Sequence, residues 1–144
     1  MEILLTILSG VLVFCLSQYF LRLILEPTIE FNKILSEISH TLLLNQEKIL
    51  SGDTNHDLHA SIAGFSAKLR SLTHSIPFHN SFQKIKLFHL PDKDNVLLAC
   101  RKLNKLSYGV LGGNQDAEET AKKNENILKE IAELLQIETT FMTN

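Results

Sequence analysis

The densest group of metal-ligating side chains in the sequence is His56 and His59, with Asp53 and Asp57 beside them. Two histidines three positions apart at the start of a predicted helix share one helix face and could hold a metal ion. A stable site needs three or four ligands, and no second ligand pair stands at a recognisable spacing. We therefore predict a histidine pair at the protein surface, no bound metal and no other cofactor.

Motifs for enzymatic chemistry are missing from the chain. It contains no G-x-S-x-G and no H-E-x-x-H sequence, and Gly109 and Gly112-Gly113 lack the lysine and the spacing of a phosphate-binding loop. We therefore predict that the protein is not an enzyme and takes no small-molecule substrate. A membrane-bound ribonuclease or a metal hydrolase is the least favoured of the functions considered.

Length and composition narrow the class of protein. The chain has 144 residues, 44% of them hydrophobic and 21% charged, with a net charge of −2. This is one domain with at most a short appended segment, and it is too apolar to be disordered. Two cysteines are too few for a disulfide scaffold or a cysteine-based zinc module.

The apolar residues concentrate at the N-terminus. Residues 3–21 carry no charge, and twelve of these nineteen are Leu, Ile, Val or Phe. As a helix they would be about 28 Å long, close to the ~30 Å hydrocarbon core of a bilayer. The twelve side chains together favour insertion by about 5 kcal/mol. We therefore predict a transmembrane helix, with a helix buried in a soluble protein as the alternative.

A cleaved signal peptide is a further alternative, but Glu2 replaces the usual cations and no small-residue cleavage site follows. Because Arg22 and Lys33 come directly after the span, the positive-inside rule places the N-terminus outside and the body in the cytoplasm. The unpaired Cys100 of the body agrees with a reducing compartment. We therefore expect a single-pass protein of the inner membrane that contacts membrane lipid.

The predicted span has one face of small, weakly polar residues. At 100° per residue, Thr6, Ser9, Gly10 and Ser17 fall within an arc of roughly 100°, and Gln18 lies near its edge. Such faces let membrane helices approach one another closely. We interpret this one as a helix-packing or pore-lining face of a homo-oligomer. The alternative is that these residues are simply tolerated in a span.

The residues after the span predict a helical body. Pro27 is expected to break or kink the chain and to push Glu26 out of helical geometry. This divides the chain into a transmembrane helix over residues 1–26 and a helical cytoplasmic domain over residues 27–144. The predicted fold is therefore all-α, one N-terminal transmembrane helix followed by a bundle of about five helices. Apolar periodicity places those helices at residues 28–50, 56–75, 81–87, 95–107 and 116–135.

Charge is distributed unevenly along the body. Residues 68–105 contain eight Lys or Arg and two Asp or Glu, hence a net charge of +6, and both flanking segments are acidic. This segment could contact acidic segments of its own bundle or of another subunit, bind anionic headgroups or RNA, or be an ordinary solvated surface. The residues chosen as an inter-subunit or ligand-binding basic surface are Lys84, Lys86, Arg101, Lys102 and Lys105.

Several short motifs resemble those of a family of small, single-span bacterial membrane proteins of unknown function. The motifs run along the whole chain, so the resemblance implies the same layout of one span and a helical body. They are Glu26-Pro27, Glu37-Ile38-Ser39-His40, Ile76-Pro77-Phe78, Leu90-Pro91, Asn95-Val96, Leu103 with Leu106-Ser107, and Asn124 before Ile127.

The layout of one N-terminal span and a helical body is also similar to that of the membrane accessory proteins of type VI-B CRISPR systems. This resemblance implies a HEPN-like body, assembly into a pore and a role in antiviral defence. The resemblance rests on this layout and does not extend to catalytic residues. Only three residues separate Arg70 from His74, one fewer than the shortest spacing of the Arg–His motif of HEPN-type ribonucleases.

Two hypotheses of function follow. The first is a homo-oligomeric membrane effector that forms a pore and permeabilises the membrane, which needs no catalytic residue. The second is a membrane-tethered adaptor or regulator that binds a protein or RNA partner, such as a defence effector, through the basic surface.

Overall fold

The computed structural model describes residues 1–51, 54–75, 90–111 and 117–140. These residues contain helices and no strand, so the predicted all-α fold is confirmed. The helices are α1 (Glu2–Phe20), a π-helical turn (Leu21–Leu25), α2 (Glu26–Leu44), α3 (Gln46–Ser51), α4 (His56–Ser75), α5 (Lys93–Val110) and α6 (Ala117–Leu135).

One uninterrupted helix of 43 residues joins the apolar N-terminus to the body. The expectation that Glu26 leaves helical geometry is wrong, because its φ and ψ are −58° and −51°. In the π turn before it, the Glu26 N–H donates to the Leu21 carbonyl, five residues back. This wider turn takes the preceding carbonyls out of α-helical register, which lets the helix continue through Pro27, a residue without an N–H.

Helix α1 lies outside the packed body, and none of its residues is buried. It is long and apolar enough to cross a membrane, in agreement with the predicted span. Its apolar side chains are exposed along its whole length, from Ile3 to Phe20. A helix buried in a soluble core would show the opposite pattern, so that alternative does not describe α1.

The body is a bundle in which α4 and α5 form the most extensive helix pair, α6 packs on α5, α2 packs on α4, and α3 packs on α6. Each main helix contributes one apolar stripe to a single core, as the predicted periodicity requires. The largest fully buried side chains of that core are Phe31, Ile34, Ile38, Leu42, Ile49, Ile62, Leu69, Leu103, Leu106, Leu128, Ile131 and Leu135.

The helix predicted over residues 28–50 is divided in the structure. Asn45 has φ −107° and ψ 17°, and its Nδ2 donates to the Thr41 carbonyl at 2.9 Å, which caps α2. The next helix, α3, then starts at Gln46. Helix α4 spans residues 56–75 as predicted, and α5 extends beyond the predicted 95–107 at both ends. The short helix predicted over residues 81–87 lies outside the described residues.

The C-terminal end of α6 is closed by a left-handed residue. Gln136 has a φ of 56°, and the Ile137 N–H donates to the Ala132 carbonyl at 3.1 Å, the six-to-one bond of a Schellman motif. The chain then turns back, and the buried Thr139 hydroxyl donates to the Leu128 carbonyl at 3.0 Å.

Candidate functional site

The small, weakly polar face of α1 is exposed along its whole length. The hydroxyls of Thr6, Ser9 and Ser17 donate to carbonyls of their own helix at 2.9, 2.8 and 2.8 Å. The hydrogen of each hydroxyl is therefore used inside α1, while the hydroxyl oxygens can still accept hydrogen bonds, so the face is made of small, weakly polar groups. No atom lies within 4 Å of the place where a Cβ on Gly10 would stand. The backbone at Gly10 is thus open to close approach by another helix.

Gln18 differs from the hydroxyl residues of this face. Its side chain is exposed and makes no hydrogen bond with any residue that the structure describes. An amide carries two N–H donors and one carbonyl acceptor, and in hydrocarbon each lacks water as a partner. In a bilayer Gln18 would need another polar group at the same depth as a hydrogen-bond partner.

The basic surface chosen from the sequence is only partly described. Arg101 and Lys105 are exposed on one side of α5. Lys102 faces the neighbouring helix, where its Nζ pairs with the Glu130 carboxylate of α6. This ion pair thus joins the basic segment of the chain to an acidic segment within the bundle. Lys84 and Lys86 lie outside the described residues.

His59 belongs to the contact between α4 and α5, whereas His56 is exposed. The Nδ1 atom of His59 lies 2.9 Å from the Ser107 carbonyl oxygen, and its ring lies 5.5 Å from that of Tyr108. Because a carbonyl only accepts, Nδ1 is the nitrogen that carries the hydrogen. Of the other ligands considered with this pair, Asp53 lies outside the described residues, and the described part of the chain holds no group of three or more potential metal ligands.

Two side-chain contacts set the register of α4 against α5. His59 meets the Ser107 carbonyl, and the Ser66 hydroxyl donates to the Cys100 carbonyl at 2.8 Å. Residue numbers rise along α4 as they fall along α5, so the two helices are antiparallel. Arg70 lies one turn beyond Ser66 and Arg101 directly follows Cys100, which puts the two arginines about 7 Å apart along the helix axes.

Arg70 and Arg101 line one cleft, called the α4–α5 cleft here, of about 410 Å³ between these two helices. Its other lining residues are Ala63, Ser66, Ala67, Leu97, Cys100 and Asn104. Small side chains on α4 leave the space between the helices open. Neither arginine forms an ion pair with a described residue, and both are exposed. None of the described lining residues is acidic.

The thiol of Cys100 stands in this cleft wall and is buried. Burial raises its pKa to about 11, and the positive charge of Arg70 acts in the opposite direction. The thiol is therefore neutral at pH 7 and a poor nucleophile.

Sequence reasoning selected Arg101 but did not join Arg70 to it, because 31 positions separate the two residues in the chain. The sequence of α4 does contain a local signal for this cleft. Arg70 follows Ala63, Ser66 and Ala67 on one helix face, and such a face of small residues lets a neighbouring helix come close.

Comparison with known protein families, with curated protein sequences and with solved structures finds no match to this chain. The two resemblances described above therefore stay predictions.

Proposed function

We propose that the protein is a homo-oligomeric, single-span membrane effector in which α1 crosses the bilayer and packs against α1 of other copies. The assembled spans would form a pore that permeabilises the membrane. The observation that carries this proposal is that α1 is apolar and wholly exposed, with no buried residue, although it continues directly into the packed body.

The hydrophobic effect supports membrane insertion of α1. Exposed apolar side chains in water are unfavourable by roughly 25 cal/mol per Å², and α1 exposes large apolar side chains on all sides. Insertion into hydrocarbon removes that penalty, and the helix satisfies its own backbone hydrogen bonds as a span must. The cations Arg22 and Lys33 after the span favour a cytoplasmic body and an N-terminus on the outer side.

The polar face of α1 supports self-association. Gly10 leaves the backbone open, the hydroxyls beside it already donate within the helix, and Gln18 forms no hydrogen bond with a described residue. Packing of these faces against one another lets the helices approach closely and gives the Gln18 amides partners. Permeation requires only a polar path through the assembly, which agrees with the absence of catalytic motifs from the sequence. The antiviral role implied by the resemblance stays a prediction.

The mass of the detergent-solubilised protein, measured by light scattering coupled to size exclusion, tests this proposal. We expect a discrete assembly of about six or more subunits, since a monomer or dimer leaves no lumen of useful size. Gly10→Leu should reduce the assembly to smaller species and abolish leakage of dye from vesicles that contain the protein. Cys15→Leu places the same leucine side chain on the opposite face of α1 and serves as the matched control, with assembly and leakage unchanged.

A monomeric or dimeric wild-type protein, or equal effects of the Gly10 and Cys15 substitutions, would contradict the proposal. The second candidate function, a membrane-tethered adaptor, is favoured by one specific observation, the Arg70 and Arg101 side chains of the α4–α5 cleft, which form no ion pair with a described residue. Replacement of α1 by an unrelated span separates the two functions, because an adaptor keeps its partner binding after that exchange and a pore loses its conductance.

A further inference from the structure

We propose that the α4–α5 cleft binds the phosphate group of a small ligand between Arg70 and Arg101. This inference stands on the helical body alone and is independent of what α1 does in the membrane.

The charge of the cleft is the first argument. Two permanently charged guanidinium groups line the same space from facing helices, and neither is paired with a described residue. Like charges at this separation repel each other, and the described lining contains no carboxylate that offsets them. An anion bound between the two arginines would attract both of them and so offset this repulsion. Arginine also suits phosphate in particular, because its planar fork of N–H donors matches two phosphate oxygens.

The shape of the cleft is the second argument. Ala63 and Ala67 leave room between the helices, and the volume of about 410 Å³ falls within the range of small-ligand pockets. Ser66 is already committed as a donor to the Cys100 carbonyl, so it fixes the helix spacing and does not serve as a donor to the ligand. Asn104 is exposed at the cleft and offers an amide N–H to a further phosphate oxygen.

The neutral wall of the cleft is the third argument. Cys100 is buried and uncharged at pH 7, so it does not compete with an anion for the arginines. The neighbouring cation Lys102 is occupied by Glu130, outside the cleft. The two arginines are therefore the charged groups through which the described part of the cleft recognises a ligand, and the ligand's phosphate is the group that both can bind at once.

Isothermal titration of the full chain in uncharged detergent micelles tests the proposal, with adenosine monophosphate as the soluble phosphate probe. We expect saturable binding of one probe per chain, weakened about tenfold or more by Arg70→Gln and by Arg101→Gln. Lys68→Gln removes the same charge from an exposed position of α4 that does not line the cleft, and it should change the affinity less than about twofold. Melting curves followed by circular dichroism check that all variants are folded.

Two further probes identify the source of the phosphate. If phosphatidylglycerol added to the micelles displaces the nucleotide in the wild type, the cleft accepts a lipid headgroup, and without displacement it accepts a free phosphate ester. Either result supports the proposal. Absence of saturable binding, or an equal loss from Lys68→Gln, would overturn it. A single-stranded RNA that binds about a hundredfold more tightly than the nucleotide would also overturn it, because the cleft would then be part of a nucleic-acid surface.

Discussion

The backbone of Gly109 passes so close to Asn124 that a methyl group at position 109 would stand 2.5 Å from the Oδ1 atom of Asn124. The Asn124 side chain is buried and held in place, since its Nδ2 donates to the main-chain carbonyl of Ile49 at 2.9 Å. That carbonyl belongs to the last turn of α3, where helical N–H donors run out. One asparagine thus joins α3 to α6 and depends on a glycine of α5.

Gly109→Ala should destabilise the fold by about 1–3 kcal/mol, because the added methyl group must displace a buried, hydrogen-bonded side chain. Gly64→Ala is the matched control. A Cβ at Gly64 meets no atom within 4 Å, and alanine in a helix interior is favoured over glycine by about 0.5–1 kcal/mol. Chemical denaturation followed by circular dichroism should therefore give shifts of opposite sign for the two substitutions. Shifts of the same sign would contradict the close contact.

A double-mutant cycle tests the same relationship from the other side. Asn124→Ala should cost about 1–3 kcal/mol, because it removes the hydrogen bond that satisfies the buried Ile49 carbonyl. In that background Gly109→Ala should cost markedly less than in the wild type, since the atom it clashes with is gone. Strict additivity of the two unfolding free energies would show that Gly109 and Asn124 act independently.

Gln136→Gly should stabilise the body by about 0.5–1 kcal/mol. Gln136 holds a left-handed conformation, with φ 56°, which glycine adopts without steric cost. Glu133→Gly, one turn earlier and inside α6, should have the opposite effect, because glycine weakens a helix interior by about 1 kcal/mol. The difference in denaturation midpoint between these variants measures the conformational cost at Gln136, and a destabilising Gln136→Gly would refute it.

Stability should fall as the pH rises from about 9 to about 11, in part through Cys100. Its pKa is raised from 9.0 to about 11 by burial, so the folded state holds this proton over a pH range in which the unfolded state releases it. Lysines titrate in the same range, so the measurement is the difference between the wild type and Cys100→Ala. We expect the variant to lose less stability over this interval, and identical pH profiles would exclude the effect.

Alkylation kinetics give a second measure of the same thiol. In a Cys15→Ser background, Cys100 of the folded protein should react slowly at pH 8 and accelerate toward pH 11, whereas the urea-unfolded chain should reach its maximal rate about two pH units lower. Equal pH dependence in the folded and unfolded states would mean that burial does not hold the thiol neutral.

The parts of this fold that were predicted are those that local sequence determines. Helix α4 follows from apolar residues that recur at alternating spacings of four and three between Asn55 and Pro77. The continuity of α1 and α2 was not predicted, because the rule that proline ends a helix does not foresee a π turn beside Pro27. Arg70 and Arg101 line the same cleft because α4 and α5 pack antiparallel. That tertiary contact is not encoded in the spacing of the two residues along the chain.

The single helix from Glu2 to Leu44 has a mechanical consequence. Its 43 residues measure about 65 Å, and the hydrocarbon core of a bilayer is about 30 Å thick, so with α1 inserted as proposed roughly half of this rod would project beyond the hydrocarbon. A stiff rod transmits tilt and axial rotation from one end to the other. In the proposed assembly, the symmetry in which the spans meet would therefore be imposed on the bodies, and a torque applied to a body would turn its span by the same angle.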